Sequence, residues 1–268
     1  MISKAISLDI RSMSMRLARF PTFSALQRTQ VCVFCNHFGL EETRNMAEEC
    51  YDNGVKAQAL RVFLEDFPNL EWAFPLSPKY LGLRNIYNQS SNAVPLAIIC
   101  PKTPQDVASL VKFARIYEVG IAIRVGGNDI FARSMIGGAM VLDLRAISSV
   151  VVNEGRTCAK TGGGILVGDL AAVLEEHGLA TPTGAIPFIG YVGWATLGGY
   201  GLFSSYFGLG VDQILGATVV TASGEIVKAD QELLGGIRGA GGSFGVIIEM
   251  EIKVYPLQKV RDNRNCLS

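Results

Sequence analysis

Histidine is scarce in this sequence, with His37 and His177 as its two copies among 268 residues. A histidine-based metal centre or a Ser-His-Asp triad would therefore have to use one of these two side chains. Cys32, Cys35 and His37 have the spacing of half a zinc site, but no second ligand pair follows at a suitable distance. We predict no metal site. We interpret the two cysteines as a pair of free thiols on a short apolar stretch, with a metal or redox site as the alternative.

The chain also lacks an excess of charge, because 24 Lys and Arg balance 24 Asp and Glu. A protein that binds nucleic acid normally has a basic excess, so we expect no nucleic-acid partner. Apolar residues make up 49% of the sequence and charged residues 18%, which excludes a disordered chain. The six cysteines are too scattered for a disulfide scaffold. These features describe a globular chain of one large or two modest domains.

No membrane span is expected, although residues 178–211 contain no charged side chain. That run is longer than a bilayer span. It also contains nine glycines and two prolines (Pro182 and Pro187), which would leave the backbone of a lipid-exposed helix poorly satisfied. We interpret the run as a buried wall of packed loops and short strands.

The first 40 residues are basic and rich in serine, with Asp9 as their single acidic residue. Organellar transit peptides have this composition, but we favour a disordered or poorly defined leader, with targeting as the alternative. No continuous apolar segment precedes a small-residue cleavage site, so a secretory signal is not supported. We expect a cytoplasmic protein, with organellar targeting as the second interpretation.

Beyond the leader, predicted helices and strands alternate. A helix is predicted over residues 41–64, and residues 67–91 are rich in proline and asparagine without identifiable chemistry. Thr103 and Asp106 have the spacing of a capping box at the start of a helix that ends at Gly120. A second helix is predicted from Val167 to Glu176. Short apolar runs predict strands at residues 95–100, 121–125, 139–144, 150–152, 157–161, 217–221, 225–228 and 246–254. The fold class is therefore mixed α/β or α+β.

Glycine is unevenly distributed, since 26 of the 30 glycines lie between Gly126 and Gly245. They concentrate in four clusters, at residues 124–129, 162–164, 193–201 and 238–245. Unhindered backbone N–H groups can bind a phosphate or pyrophosphate, whereas tight turns are the alternative for any one cluster. Neither the GxGxxG nor the GxxxxGK[ST] pattern is present. We predict that the four clusters converge on one long dinucleotide.

Five motifs follow one another within residues 94–256. They are Pro101-Lys-Thr-Pro-Gln-Asp106, Arg124-Val-Gly-Gly-Asn-Asp129, the segment from Gly162 to Asp169, the segment from Thr196 to Asp212, and the segment from Arg238 to Val246. In these motifs the chain resembles the flavin-binding domain of the vanillyl-alcohol-oxidase/PCMH class, in particular fungal FAD-linked oxidoreductases of the berberine-bridge type. The resemblance implies an α+β, two-subdomain PCMH-type fold that holds FAD between its subdomains.

The same resemblance implies a set of FAD-binding residues. These are Arg124, Val125, Gly126, Gly127, Asn128, Asp129, Ser134, Gly162, Thr183, Gly184, Gly190, Gly193, Thr196, Gly198, Gly199, Gly201 and Val246. No catalytic residue is assigned. Tyr200 and Tyr206 lie in the region where a base would be needed, but structural tyrosines are the alternative. Asp129 and Asp212 are interpreted as carboxylates that fix loops by accepting backbone N–H groups.

The sequence departs from the family pattern in its flavin-linking residues and in its length. Many relatives have a flavin-linking histidine where this chain has Asn128, and Ile189 aligns with the second linking residue, a cysteine. Asparagine cannot form that bond, so we predict non-covalent FAD. Relatives continue into a substrate domain, whereas this sequence has only a polar tail, residues 257–268, after the matched region.

The resemblance therefore implies an FAD-dependent oxidoreductase that takes hydride from a small organic substrate, in a setting such as secondary metabolism. A truncated, catalytically inactive flavin-binding module is the first alternative. An inherited fold with an empty nucleotide cradle is the second.

Overall fold

The computed structural model describes residues 40–257, with side chains from residue 52 onward. The predictions for the Cys32–Cys35 pair, for most of the polar tail and for all but the last residue of the leader lie outside the described residues. The chain divides into two units, Met1–Pro68 and Asn69–Ser268. The predicted domain boundaries at residues 40, 93 and 256 stay predictions.

The first unit contains helix α1, Leu40–Leu64, which confirms the predicted helix over residues 41–64. An ion pair between Asp52 and Lys56, one turn apart, joins Oδ2 and Nζ at 2.7 Å on this helix. The Phe63 and Phe67 rings lie 4.9 Å apart at the end of the helix, so an aromatic contact accompanies its last turn.

The second unit begins with a four-stranded sheet of order β1-β2-β4-β3. Strand β1 is antiparallel to β2, whereas β2 and β3 both run parallel to β4. Helix α3 lies in the connection from β2 to β3, the two strands that flank β4. The elements are β1 (Glu71–Ala73), α2 (Tyr80–Arg84), β2 (Ala97–Cys100), α3 (Pro104–Ile116), β3 (Ile121–Arg124) and β4 (Met140–Asp143).

Helix α3 begins with the predicted capping box. The Thr103 hydroxyl accepts the Asp106 N–H at 3.1 Å, and the Asp106 carboxylate accepts the Thr103 N–H at 2.9 Å. The helix ends at Ile116, earlier than the predicted end at Gly120. The reason is Glu118, whose φ of 51° lies in the left-handed region and cannot continue a right-handed helix.

The rest of this unit is a five-stranded antiparallel sheet of order β5-β6-β10-β8-β9 and a two-stranded ribbon of β7 and β11. The core under the larger sheet includes Leu170, Ile214, Ile237 and Met250, all fully buried. The elements are β5 (Val150–Val152), β6 (Cys158–Gly162), α4 (Val167–Glu176), β7 (Leu179–Ala180), α5 (Tyr191–Thr196), α6 (Ser204–Phe207), β8 (Ile214–Val220), β9 (Ile226–Lys228), α7 (Gln231–Ala240), β10 (Val246–Lys253) and β11 (Tyr255–Pro256). The mixture of helices and two separate sheets confirms the α+β class.

The charge-free run at residues 178–211 is only partly the buried wall that the sequence predicts. Tyr191 and Ala195 of α5 are fully buried, but Tyr200 and Tyr206 are each 82% exposed. The prediction is wrong for residues 185–188 and for most of the run after α5, because these segments follow the protein surface. Within residues 40–257, no helix combines the length and apolar character needed to cross a membrane.

Candidate functional site

One cavity of about 350 Å³ receives contributions from all four glycine clusters. Strand β3 of the first sheet and strand β10 of the second both reach it, through Ile123 and Ile247. The predicted convergence of the clusters on one cleft is confirmed. The lining residues are Ile123, Val125, Gly126, Gly127, Asn128, Asp129, Arg133, Ser134, Leu144, Gly163, Ile189, Gly190, Val192, Gly193, Trp194, Thr196, Leu197, Gly242, Gly245 and Ile247.

The loop that follows β3 is held in place by a buried ion pair. Arg124 and Asp143 are register partners at the carboxyl ends of β3 and β4, and the guanidinium donates to the carboxylate. Arg145 donates to the same carboxylate at 2.7 Å, and Arg124 Nη2 donates to the Asn85 carbonyl at 2.8 Å. Arg124, a predicted FAD-binding residue, lies behind the cavity wall, where it positions the loop.

A second restraint on this loop comes from the segment before β2, residues 85–88. The Tyr87 N–H donates to the Gly127 carbonyl at 2.9 Å, and Asn88 Nδ2 donates to the Ile130 carbonyl at 2.9 Å. Sequence reasoning assigned no chemistry to this segment. Its contacts run to backbone atoms far along the chain, so no local pattern could have revealed them.

Asn128 connects the loop to the opposite side of the cavity. Its Nδ2 donates to the Phe188 carbonyl at 2.8 Å and to the Gly126 carbonyl at 2.9 Å. A Cβ on Gly126 would lie 2.2 Å from the same Phe188 oxygen, so only glycine fits this approach. The amide therefore uses its donor hydrogens to close one backbone segment onto another.

Most cluster glycines are required where backbone meets backbone. A Cβ on Gly163 would lie 2.0 Å from the Ile247 carbonyl oxygen, and one on Gly164 would lie 1.7 Å from the Leu144 oxygen. Gly193 and Gly242 differ, because both line the cavity and a Cβ on either would meet no atom within 4 Å. These two positions present bare backbone to the cavity.

The Trp194 indole forms part of the wall, with several predicted FAD-binding glycines packed around it. A Cβ on Gly199 would lie 3.1 Å from Trp194 Cε3, and one on Gly184 would lie 3.3 Å from Nε1. The Nε1–H donates to the Tyr200 carbonyl at 3.2 Å. These glycines therefore support the tryptophan that lines the cavity.

The structure thus sorts the predicted FAD-binding residues by position. Those that line the cavity are Val125, Gly126, Gly127, Asn128, Asp129, Ser134, Gly190, Gly193 and Thr196. Those outside its lining are Arg124, Gly162, Thr183, Gly184, Gly198, Gly199, Gly201 and Val246. Lining residues that sequence reasoning missed include Arg133, Trp194 and Gly242. The assignment of individual residues to cofactor binding stays a prediction.

The polar side of the cavity is the loop at residues 128–134. Arg133 forms an ion pair with Asp129, with Nη2 to Oδ1 at 2.9 Å, and this hydrogen bonding lowers the pKa of Asp129. Ser134 is 8% exposed, and its Oγ has no hydrogen-bond partner within the described structure. Buried hydroxyls are normally hydrogen-bonded, so this one points to a polar ligand.

The sequence profile of the FAD binding domain family matches residues 95–230, half of the chain. The chain belongs to the FAD binding domain family. It is 38% identical over 205 residues to the FAD-linked oxidoreductase aurO of Gibberella zeae, covering 76% of this chain and 40% of that protein. It is 34% identical over 193 residues to (R)-6-hydroxynicotine oxidase of Paenarthrobacter nicotinovorans, covering 70% and 42%.

Solved structures agree with this assignment. Physcomitrella patens BBE-like 1 superposes with a TM-score of 0.69 and 30% identity, covering 71% of this chain and 43% of that one. The predicted PCMH-type fold and FAD as cofactor are confirmed. This FAD binding domain chain spans about two fifths of the length of the curated relatives named above.

The cavity fits FAD in its chemistry. The unpartnered Ser134 hydroxyl and the polar loop suit a diphosphate, and the bare backbone at Gly193 and Gly242 leaves space that any side chain would fill. Ile189, Val192 and Ile247 offer an apolar wall to a flat ring system.

Proposed function

We propose that this chain is the FAD-binding part of an oxidoreductase that takes hydride from a small organic substrate. The observation that carries the proposal is the single cavity lined by all four glycine clusters together with a buried, unpartnered serine hydroxyl. Bound FAD would supply the hydride acceptor. The oxidoreductases named as relatives are more than twice as long as the part that this chain matches, so the activity itself is a proposal.

The chain's own residues would bind and orient the cofactor. The backbone of residues 125–129 and the Ser134 hydroxyl would hold the diphosphate, because both offer hydrogen-bond donors at the polar side of the cavity. Ile189, Val192 and Ile247 would exclude water from the ring, which strengthens polar interactions inside the site. No base is assigned, since Tyr200 and Tyr206 do not line the cavity.

We further propose that FAD is bound without a covalent link to residue 128. Asparagine has no nucleophilic ring nitrogen, and the Asn128 amide is engaged with two protein carbonyls. After acid precipitation, flavin absorbance should appear in the supernatant and leave the protein pellet colourless. Flavin retained in the pellet would show a covalent bond at another residue.

The absorbance spectrum of the purified protein tests FAD binding directly. Bands of oxidised flavin, or their recovery after FAD is added and excess removed, are expected. A protein that stays colourless after incubation with FAD would refute the proposal and favour an inherited fold that binds no nucleotide.

A flavin-binding module without turnover is the second candidate, because neither tyrosine considered as a base, Tyr200 or Tyr206, lines the cavity. Anaerobic bleaching of the flavin by a substrate panel separates the two. The panel should include 6-hydroxynicotine, which a relative is named for. Loss of flavin absorbance with any substrate of the panel supports the enzyme. If light reduces the bound flavin but no substrate does, the result supports the module.

A further inference from the structure

Arg133 is the one cationic side chain among the residues that line the cavity, and Asp129 is the one anionic side chain there. The two side chains make two contacts, Nη2 to Oδ1 at 2.9 Å and Nε to Oδ2 at 3.1 Å. The polar side of the cavity therefore carries no net charge before any ligand is considered. Arg133 did not belong to the predicted FAD-binding residues.

The two partners differ in how firmly they are held. The Asp129 side chain is 20% exposed, and its Oδ2 also accepts the Arg133 backbone N–H at 2.6 Å. The Arg133 side chain is 63% exposed, and its guanidinium also lies 5.6 Å from the centroid of the Phe131 ring. Exposed ion pairs are weak, so the guanidinium is free to take a second anionic partner while the carboxylate stays fixed.

The hydroxyl next to this arginine points to what that second partner is. Ser134 Oγ is buried and unpartnered, and Ser134 lines the same cavity as Arg133. A guanidinium and a free hydroxyl from adjacent residues match a phosphate group, which accepts several hydrogen bonds at once. Asp129 alone would repel such a ligand, because like charges disfavour each other.

We infer that Arg133 binds the diphosphate of the flavin nucleotide while it neutralises Asp129, and that it thereby selects FAD over riboflavin. The inference rests on the proposed function, since it requires FAD in this cavity. A guanidinium has five N–H donors, so one arginine can hold the carboxylate and a phosphate oxygen together. A lysine has no planar fork and would serve the two anions less well.

The test compares FAD and riboflavin as ligands of the flavin-free protein. Arg133→Gln should weaken FAD binding about 10- to 150-fold, the range for losing a hydrogen bond to a charged group, and leave riboflavin binding at its wild-type value. Arg133→Lys should lose less of the FAD affinity. Lys79→Gln is the matched control, because Lys79 forms an exposed ion pair with Glu71 at 2.8 Å outside the cavity lining. It should change neither affinity.

The outcomes separate the inference from the proposed function. Equal weakening of both flavins by Arg133→Gln, or no weakening of FAD, overturns the inference, whereas FAD binding by the wild type still supports the cofactor site of the proposed function. If Arg133→Gln does not fold, Arg133→Lys decides: a loss for FAD alone supports the inference, and no loss or an equal loss overturns it. A wild-type protein that binds no FAD refutes both.

Discussion

Replacing Gly193 with leucine should separate cofactor binding from folding. A Cβ at Gly193 meets no atom within 4 Å, and the residue lies in the interior of α5 and lines the cavity. Glycine is about 0.8–1.0 kcal/mol less favourable than alanine inside a helix, and leucine is close to alanine. The variant should therefore fold, with a melting temperature within about 4 °C of the wild type or above it.

The same side chain would project into the cavity where FAD is expected. Forcing extra carbon atoms into a filled space costs about 1–3 kcal/mol, which corresponds to about a 5- to 150-fold loss of FAD affinity. Flavin titration and thermal unfolding measure the two effects separately. Gly235→Leu is the control, because Gly235 is also a helix glycine with open space at its Cβ but lies outside the cavity lining. Wild-type FAD affinity in Gly193→Leu would refute the placement of the cofactor.

Three further predictions address the supports of the site and a half-buried thiol. Asp143→Asn should lower the free energy of unfolding by about 3–5 kcal/mol in urea denaturation, because buried Arg124 loses its charged partner; a loss below about 1 kcal/mol would contradict this. Gly127→Val should lower both thermal stability and FAD retention, since Gly127 has a φ of 68° and a Cβ there would lie 3.1 Å from Ile86 Cγ2; unchanged unfolding would show that the loop accepts the strain. Burial raises the pKa of Cys100 to about 11, so about one thiol in a thousand is ionised at pH 8. Alkylation of the native protein, followed by mass spectrometry, should therefore be slow at pH 8 and become faster as the pH rises to 11. Rapid labelling of Cys100 at pH 8 would contradict the raised pKa.

Local patterns predicted helices α1, α3 and α4 but missed α2, α5, α6 and α7. The Thr103–Asp106 capping box and the limits of α4, Val167–Glu176, match the structure because both depend on residues within one or two turns. Apolar runs predicted eight of the eleven strands that the structure describes, with ends displaced by up to three residues, and missed the short strands β1, β7 and β11. The convergence of the four glycine clusters was also predictable. The clusters match motifs of one family of FAD-binding domains, and the motifs of such a domain surround a single cofactor.

Contacts between distant segments could not be predicted in the same way. The pairing of Arg124 with Asp143 depends on the register of two parallel strands, and the restraint on Gly127 comes from backbone atoms of residues 85–88. Arg133 was missed for a different reason. Its spacing from Asp129 is that of an ordinary surface ion pair, and only the cavity shows that both side chains line a binding site.

The glycine clusters serve two physical purposes that a sequence cannot distinguish. At Gly163 a methyl group would overlap a neighbouring carbonyl, so substitution there must disturb the fold before it can affect a ligand. At Gly193 and Gly242 the methyl group would meet only open space in the cavity. Substitution of either kind of glycine should lower the affinity for FAD. Only substitution of the first kind should also lower the free energy of unfolding. Flavin affinity and unfolding measured on the same variants therefore distinguish the residues that bring the segments together from those that leave space for the cofactor.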